Sequence, residues 1–181
     1  MAMASRGKLL TAIDLLGCLI GKFRRPTVDA CSILQRWWAK TDAAVVGGSA
    51  SEDQVRALEQ RYNVSLPEDF RAYLRTACPA AECWDAEGTA WWSLDRIKNI
   101  PDEYAHQIKN PDIAPHSSQY LFFADYLVWC WAWAISCTND DNRGKVMVID
   151  GRDDPFVANS FSEFVECYIA DWSSVSPRAP S

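Results

Sequence analysis

The sequence predicts an α+β domain with N-terminal helices, a central antiparallel-rich sheet and a closing C-terminal helix. Three observations predict it. Residues 28–78 carry apolar side chains mostly at helical spacing. Residues 129–136 alternate bulky Trp129, Trp131, Trp133 and Ile135 with small Cys130, Ala132, Ala134 and Ser136, the period of a strand with two different faces. Phe161, Phe164, Val165, Tyr168 and Ile169 then stand at i, i+3, i+4, i+7 and i+8, one apolar helix face.

Leu9, Ile13, Leu16 and Ile20 fall at helical spacing, so residues 1–26 read as an amphipathic helical extension packed on the domain. Arg6 and Lys8 ahead of an apolar run ending at Cys18 suggest a secretory or lipoprotein signal instead. Asp14 interrupts that run, and Leu19 and Ile20 continue it past Cys18, so neither signal fits. The segment is also too short and too charged to span a bilayer, and a cytoplasmic protein is expected.

Thr27 can cap a helix over 28–40, with Asp29 in its first turn and Leu34, Trp37 and Trp38 on its apolar side. Residues 41–50, with Gly47-Gly48, read as a linker. Ser51 with Gln54 is a capping box opening a helix whose Val55, Leu58 and Tyr62 form one stripe, and Asn63 suits the left-handed turn that ends it. Pro67 can start the next helix without losing a backbone bond, ahead of Glu68 and Asp69 at the positive end of the dipole, and this helix should end before Pro79. Residues 79–88 read as a loop and 89–94 as a short strand. Residues 93–100 read as a helical step, followed by an irregular stretch around Pro101, Pro111 and Pro115. Residues 120–125 form a buried-strand run ending in an acid. A hairpin loop over 139–144 leads to a return strand over 145–150, a turn at Asp150-Gly151 and a brief strand at 156–158. Ser160 with Glu163 is a second capping box, at the start of the last helix. One domain over 27–172 with a flexible tail at 173–181 accounts for the 181 residues.

A hydrophobic fraction of 49% with nine tryptophans supports a substantial core, and Phe122, Ala124, Trp131, Phe161 and Phe164 are expected in it. The net charge of −6 argues against direct binding of nucleic acid, which needs a basic footprint, and suits either a basic partner or simple solubility. Seven cysteines, an odd number without dense spacing, are no disulfide framework and read as small buried hydrophobes in a reducing compartment.

The residues that carry chemistry elsewhere form no signature. A zinc site would need Cys78, Cys83, His106 and His116 to converge, although the spacing of the cysteines is wider than a common zinc pair. Seven cysteines and two histidines give many pairings but no nucleophile motif. Gly47-Gly48 and Gly151 stand in no phosphate-cradling pattern, and Asp140, Asp141, Asp153 and Asp154 read as solvated turn acids rather than calcium ligands. No catalytic residue, metal or cofactor is therefore expected, and the chain does not read as an enzyme. The tryptophans read as core rather than a ligand-stacking wall. The adjacent pairs Trp37/Trp38 and Trp91/Trp92 cannot each place both rings on one face, so one ring of each pair should be at least partly exposed.

Several segments in order carry a resemblance: Trp37-Trp38, the Ser51 helix with Glu59, Leu66-Pro67-Glu68-Asp69-Phe70, Trp91-Trp92-Ser93-Leu94, Phe122-Phe123-Ala124-Asp125, Gly144-Lys145-Val146 and Ser160-Phe161-Ser162-Glu163-Phe164. Together, over about residues 30–171, they resemble the SUKH superfamily, whose bacterial members are mostly immunity proteins that neutralise toxins by binding them. The chain departs from the family where an Asn-Gly turn usually follows the Leu-Pro helix; residues 76–81 stand there instead. The resemblance implies a cytoplasmic bacterial immunity protein that blocks one cognate toxin, a nuclease or other nucleic-acid-modifying enzyme with a basic active-site cleft. A regulatory scaffold on the same fold is the alternative, and a cysteine- or metal-dependent enzyme a remote one. For a toxin of that kind the expected partner-binding residues are the acids of three loops, Glu82, Asp85 and Glu87, Asp140 and Asp141, and Asp153 and Asp154, with Trp91 or Trp92 as the aromatic anchor.

Overall fold

The computed structural model describes residues 29–41, 43, 45 and 47–177. The N-terminal extension over 1–26, the Thr27 cap and the end of the tail lie outside the described residues.

Capping chemistry sets the helices. In α1 (Ala30–Lys40) Asp29 is the cap itself rather than a first-turn acid, its carboxylate accepting from Cys31 N–H at 3.2 Å. The Ser32 hydroxyl donates to the same carboxylate and holds its pKa below the usual range. The box opening α2 (Glu52–Tyr62) is closed in both directions: Ser51 Oγ accepts from Gln54 N–H and Gln54 Oε1 from Ser51 N–H. Asn63 ends α2 at φ 50°, and Pro67 stands immediately before α3 (Glu68–Thr76), which buries Phe70, Tyr73 and Leu74. The expected linker is tied down, with Gly48 N–H donating to Cys78 O at 2.7 Å.

Six antiparallel strands pair in chain order: β1 (Cys83–Trp84), β2 (Thr89–Trp91), β3 (Tyr120–Tyr126), β4 (Trp131–Ser136), β5 (Val146–Ile149) and β6 (Phe156–Ala158). The stretch expected as a loop over 79–88 contains β1. Its hairpin is closed by Asp85, whose Oδ1 accepts from the N–H groups of Glu87 and Thr89, both at 3.0 Å. Strand β4 begins two residues later than the alternation suggests. Leu127, Val128 and Trp129 are all left-handed, at φ 43°, 56° and 68°, and Cys130 N–H closes the turn onto Tyr126 O.

The bulky face of β4 meets the helices as expected. Trp133 lies 5.6 Å from Phe164 and 6.1 Å from Tyr168 of α5 (Phe161–Ala170), and Trp91 lies 5.2 Å from Trp38 of α1. The crossover from β2 to β3, containing the short α4 (Ile100–Glu103), first pairs along the edge of β3, with Phe122 N–H donating to Lys98 O, and then covers the other face, where Tyr104 stacks on Trp129. Ile97, Ile100, Ile108 and Ile113 are buried along the crossover, and small Ala132 and Ala134 are fully buried on the face that points away from Trp133. Ser160 caps α5 by accepting from Glu163 N–H, but the Glu163 carboxylate returns to Asn159 N–H rather than to Ser160, so only half of the expected box forms. Past residue 172 the chain stays docked: Trp172–Val175 is a 3-10 turn, Val175 is fully buried and its carbonyl accepts from Trp133 Nε1 at 2.6 Å. Phe122, Ala124, Phe161 and Phe164 are fully buried as expected; Trp131 is only half-buried.

Candidate functional site

An antiparallel meander sends alternate turns to opposite ends of its sheet. The pairs Thr89–Tyr126, Tyr126–Trp131 and Ala132–Ile149 mark one end, and Tyr120–Ser136 and Ile135–Val146 the other. The β1–β2, β3–β4 and β5–β6 turns therefore share the first end, and the β4–β5 loop with Asp140 and Asp141 lies at the second. The three turns form a continuous surface. Leu127 N–H donates to Gly88 O at 3.1 Å; Trp129 stacks on Tyr104 at 5.9 Å; and the Tyr104 hydroxyl faces Gly151, where a Cβ would approach it to 3.1 Å.

The expected acids divide by role. Glu87 and Asp153 are exposed at this end; Glu82 is exposed too, but it precedes β1 on the side away from its turn and lies 3.7 Å from Arg96. Asp85 is buried. Its Oδ2 accepts from Trp91 Nε1 at 2.7 Å and from the Tyr168 hydroxyl at 2.6 Å, so it is an internal strut rather than a surface acid. Burial, then the Asp85 charge, push the Tyr168 hydroxyl pKa far up. Asp154 is fully buried too, accepting from the N–H groups of Lys109, Asp150 and Gly151. Asp140 and Asp141 are exposed but sit at the opposite end, where hydrogen bonds from the Thr138 hydroxyl and Asn142 N–H hold the Asp140 carboxyl below the usual range. Basic groups are present as well: Arg152 pairs with Asp150, and Lys109 is exposed.

Neither Trp91 nor Trp92 has the partial exposure expected of one ring of the pair. Trp91 and Trp92 do face opposite sides of the sheet, but both sides are covered, so both rings are fully buried; their indoles donate to Asp85 and Asp125, each at 2.7 Å. The other adjacent pair behaves as expected, with Trp38 buried and Trp37 partly exposed. At the turn end Trp84 is exposed, and Tyr126, Trp131 and Trp172 are half-buried. Tyr126 stacks on Trp131 at 4.2 Å and 14° and on Trp172 at 5.2 Å and 17°, and all three rings remain partly open to solvent. The Trp131 indole N–H is buried with no partner among the described residues. The sequence signal was a single ring closing β3, Tyr126 after Asp125, and another just past the last helix, Trp172.

Beside this stack lies the exposed β3–β4 turn. Val128 is 81% exposed and Leu127 49%, and Trp84 of the neighbouring hairpin 39%. Side chains other than glycine in the left-handed region cost on the order of 1–3 kcal/mol each, and β-branched valine is among the least suited to it. Asp125, the acid ending the Phe-Ala-Asp segment, holds the turn: Oδ1 accepts from Trp129 N–H at 2.9 Å while Oδ2 is bound to Trp92 Nε1. The Trp129 ring packs inward on Phe122 at 5.0 Å, leaving Leu127 and Val128 outward.

Among the described residues no group of three or more His, Cys, Asp or Glu converges as a metal site would require, and Cys78, Cys83, His106 and His116 do not assemble. Burial raises the thiol pKa of Cys31 to about 11 and those of Cys78 and Cys137 to about 12, so all three stay protonated at neutral pH. An open cleft of about 220 Å³ lies between Gly48, Gln54, Cys78, Pro79, Ser93 and Asp95, beside a helix start that Ser51 already caps. No helix among the described residues is long and apolar enough to cross a membrane.

Residues 49–167, from the start of α2 into α5 and including the whole sheet, match the sequence profile of the SMI1 / KNR4 family (SUKH-1). No curated protein matches the chain.

Proposed function

The chain belongs to the SMI1 / KNR4 family (SUKH-1), and on that premise we propose that it is a bacterial immunity protein that binds and neutralises one cognate toxin by stoichiometric association. It acts in the cytoplasm, without catalysis and without a cofactor. The toxin is a nuclease or other nucleic-acid-modifying enzyme with a basic active-site cleft, and the immunity protein contacts no nucleic acid itself.

The observation that carries this reading is the composition of the turn end. Exposed carboxylates, Glu87 to one side and Asp153 to the other, flank a half-exposed aromatic stack and an apolar turn. Carboxylates can occupy a cleft built for phosphates, where complementary charge speeds encounter and excludes other partners. Aromatic side chains in the middle of such a patch supply the slow dissociation. The residues of the family motifs serve the scaffold: Leu66, Pro67, Phe70, Phe122, Phe161 and Phe164 are buried.

The test is to purify the protein from its native host, identify what accompanies it, and titrate that partner's enzymatic activity. A single partner, inhibited completely by one equivalent, is the expected result. A broad set of partners, or a partner whose activity one equivalent leaves intact, would overturn the reading and favour a regulatory scaffold.

A further inference from the structure

We propose that the β3–β4 turn is the apolar anchor of the complex: Leu127 and Val128 insert into an apolar pocket with a basic rim on the partner, and Asp125 is the residue that positions them. The inference rests on the immunity reading and names the part of the surface that does the holding.

The turn is built against local preference. A hairpin that bends through the left-handed region is made most easily by Asn-Gly or Asp-Gly, because those residues tolerate positive φ. This chain puts leucine and valine there, followed by a tryptophan, at φ 43°, 56° and 68°. The third residue serves the fold, since the Trp129 ring packs on Phe122 and Tyr104. The first two do not repay their conformation by packing, for Val128 is 81% and Leu127 49% exposed. Their conformation is imposed from within. Asp125 binds Trp129 N–H with one carboxylate oxygen and Trp92 Nε1 with the other, and Leu127 N–H is held by Gly88 O. A tip fixed in this way presents its apolar groups with little ordering left to do on binding. Backbone strain, an outward apolar pair and a buried clamp therefore all favour presentation over packing.

Charge identifies the occupant. The neighbouring turns on either side carry exposed Glu87 and exposed Asp153, and the arginine of the second turn, Arg152, is paired with Asp150. A pocket receiving the tip must bring its rim against these carboxylates, so a basic rim is matched and an acidic one repelled. That is the chemistry of a protein whose apolar depression lies beside a phosphate-binding cleft. A second copy of this chain, itself acidic at the same end, does not fit it.

Two variants separate presentation from folding. Val128→Asn, and the double change Leu127→Asn with Val128→Gly, both suit positive φ better than the natural residues, so each should melt at the wild-type temperature or above. The probe is the partner recovered with this chain from its native host, with affinity read by calorimetry. Wild type should bind it, and both variants should bind about tenfold or more weakly, the loss typical of a removed hot spot. Variants that bind like wild type overturn the anchor while leaving the immunity reading in place. Failure of the wild type to bind overturns both. Concentration-dependent dimerisation, or binding to phosphatidylcholine vesicles, that the same variants abolish would also overturn it, because the tip would then serve another surface.

Discussion

The Tyr168 hydroxyl of α5 donates a 2.6 Å hydrogen bond to the Asp85 carboxylate at the base of the β1–β2 hairpin, joining residues 83 positions apart. The same carboxylate oxygen takes the Trp91 indole, and the tyrosine oxygen lies 2.7 Å from Thr89 Oγ1. One buried acid thus fixes an edge hairpin to the closing helix. Tyr168→Phe should cost about 1.5–3 kcal/mol, the range for a hydrogen bond to a charged group. Asp85→Ala should cost more, since it also strands the buried Trp91 N–H. Urea unfolding of both variants checks the order; an Asp85→Ala protein as stable as wild type would remove the strut.

Phe164 is fully buried among Trp91, Phe123, Trp133 and Tyr168, with ring centroids 5.2–6.4 Å away. Phe164→Ala should destabilise by about 3–5 kcal/mol through lost transfer energy and the cavity left behind. A wild-type denaturation midpoint for this variant would take Phe164 out of the core.

Burial alone would raise the Glu103 pKa, but hydrogen bonds from Arg96 and Lys98 outweigh it and hold the carboxyl below its usual 4.5. A lowered folded value means that Glu103 contributes stability above the usual pKa and loses it as pH falls through the folded one. Glu103→Gln should therefore be less stable than wild type at pH 7, with the gap closing below pH 4.5. Melting curves across that range check it; a gap that widens in acid would reverse the sign.

Most of the fold was legible because the signals that specify it are local. The Ser51–Gln54 box, Asn63 at the end of α2, the Pro67 start, and the bounds of β6 depend on residues a few positions apart. What the sequence did not reveal depends on distant partners. The β1–β2 hairpin is closed by Asp85, whose other oxygen is held by Tyr168. The alternation running through Trp129 breaks because Asp125 captures the Trp129 N–H and turns the chain. Period-two pattern correctly put Trp91 and Trp92 on opposite faces, but it cannot tell that helices cover one face and a crossover the other. Of the expected site acids, the sequence could not separate exposed Glu87 and Asp153 from Asp85 and Asp154, which look alike in a turn and differ only in which backbone amides they cap.

The central claim is that one end of the sheet faces the partner's basic cleft. The most direct measurement is the association rate with the cognate toxin as a function of salt, for three proteins. These are the wild type, a variant carrying Glu87→Gln and Asp153→Asn at the turn end, and a variant carrying Asp140→Asn and Asp141→Asn at the opposite end. The account predicts that the turn-end variant associates more slowly and with a shallower salt dependence, while the opposite-end variant keeps the wild-type rate and slope. A turn-end variant that retains the wild-type rate and slope would contradict it.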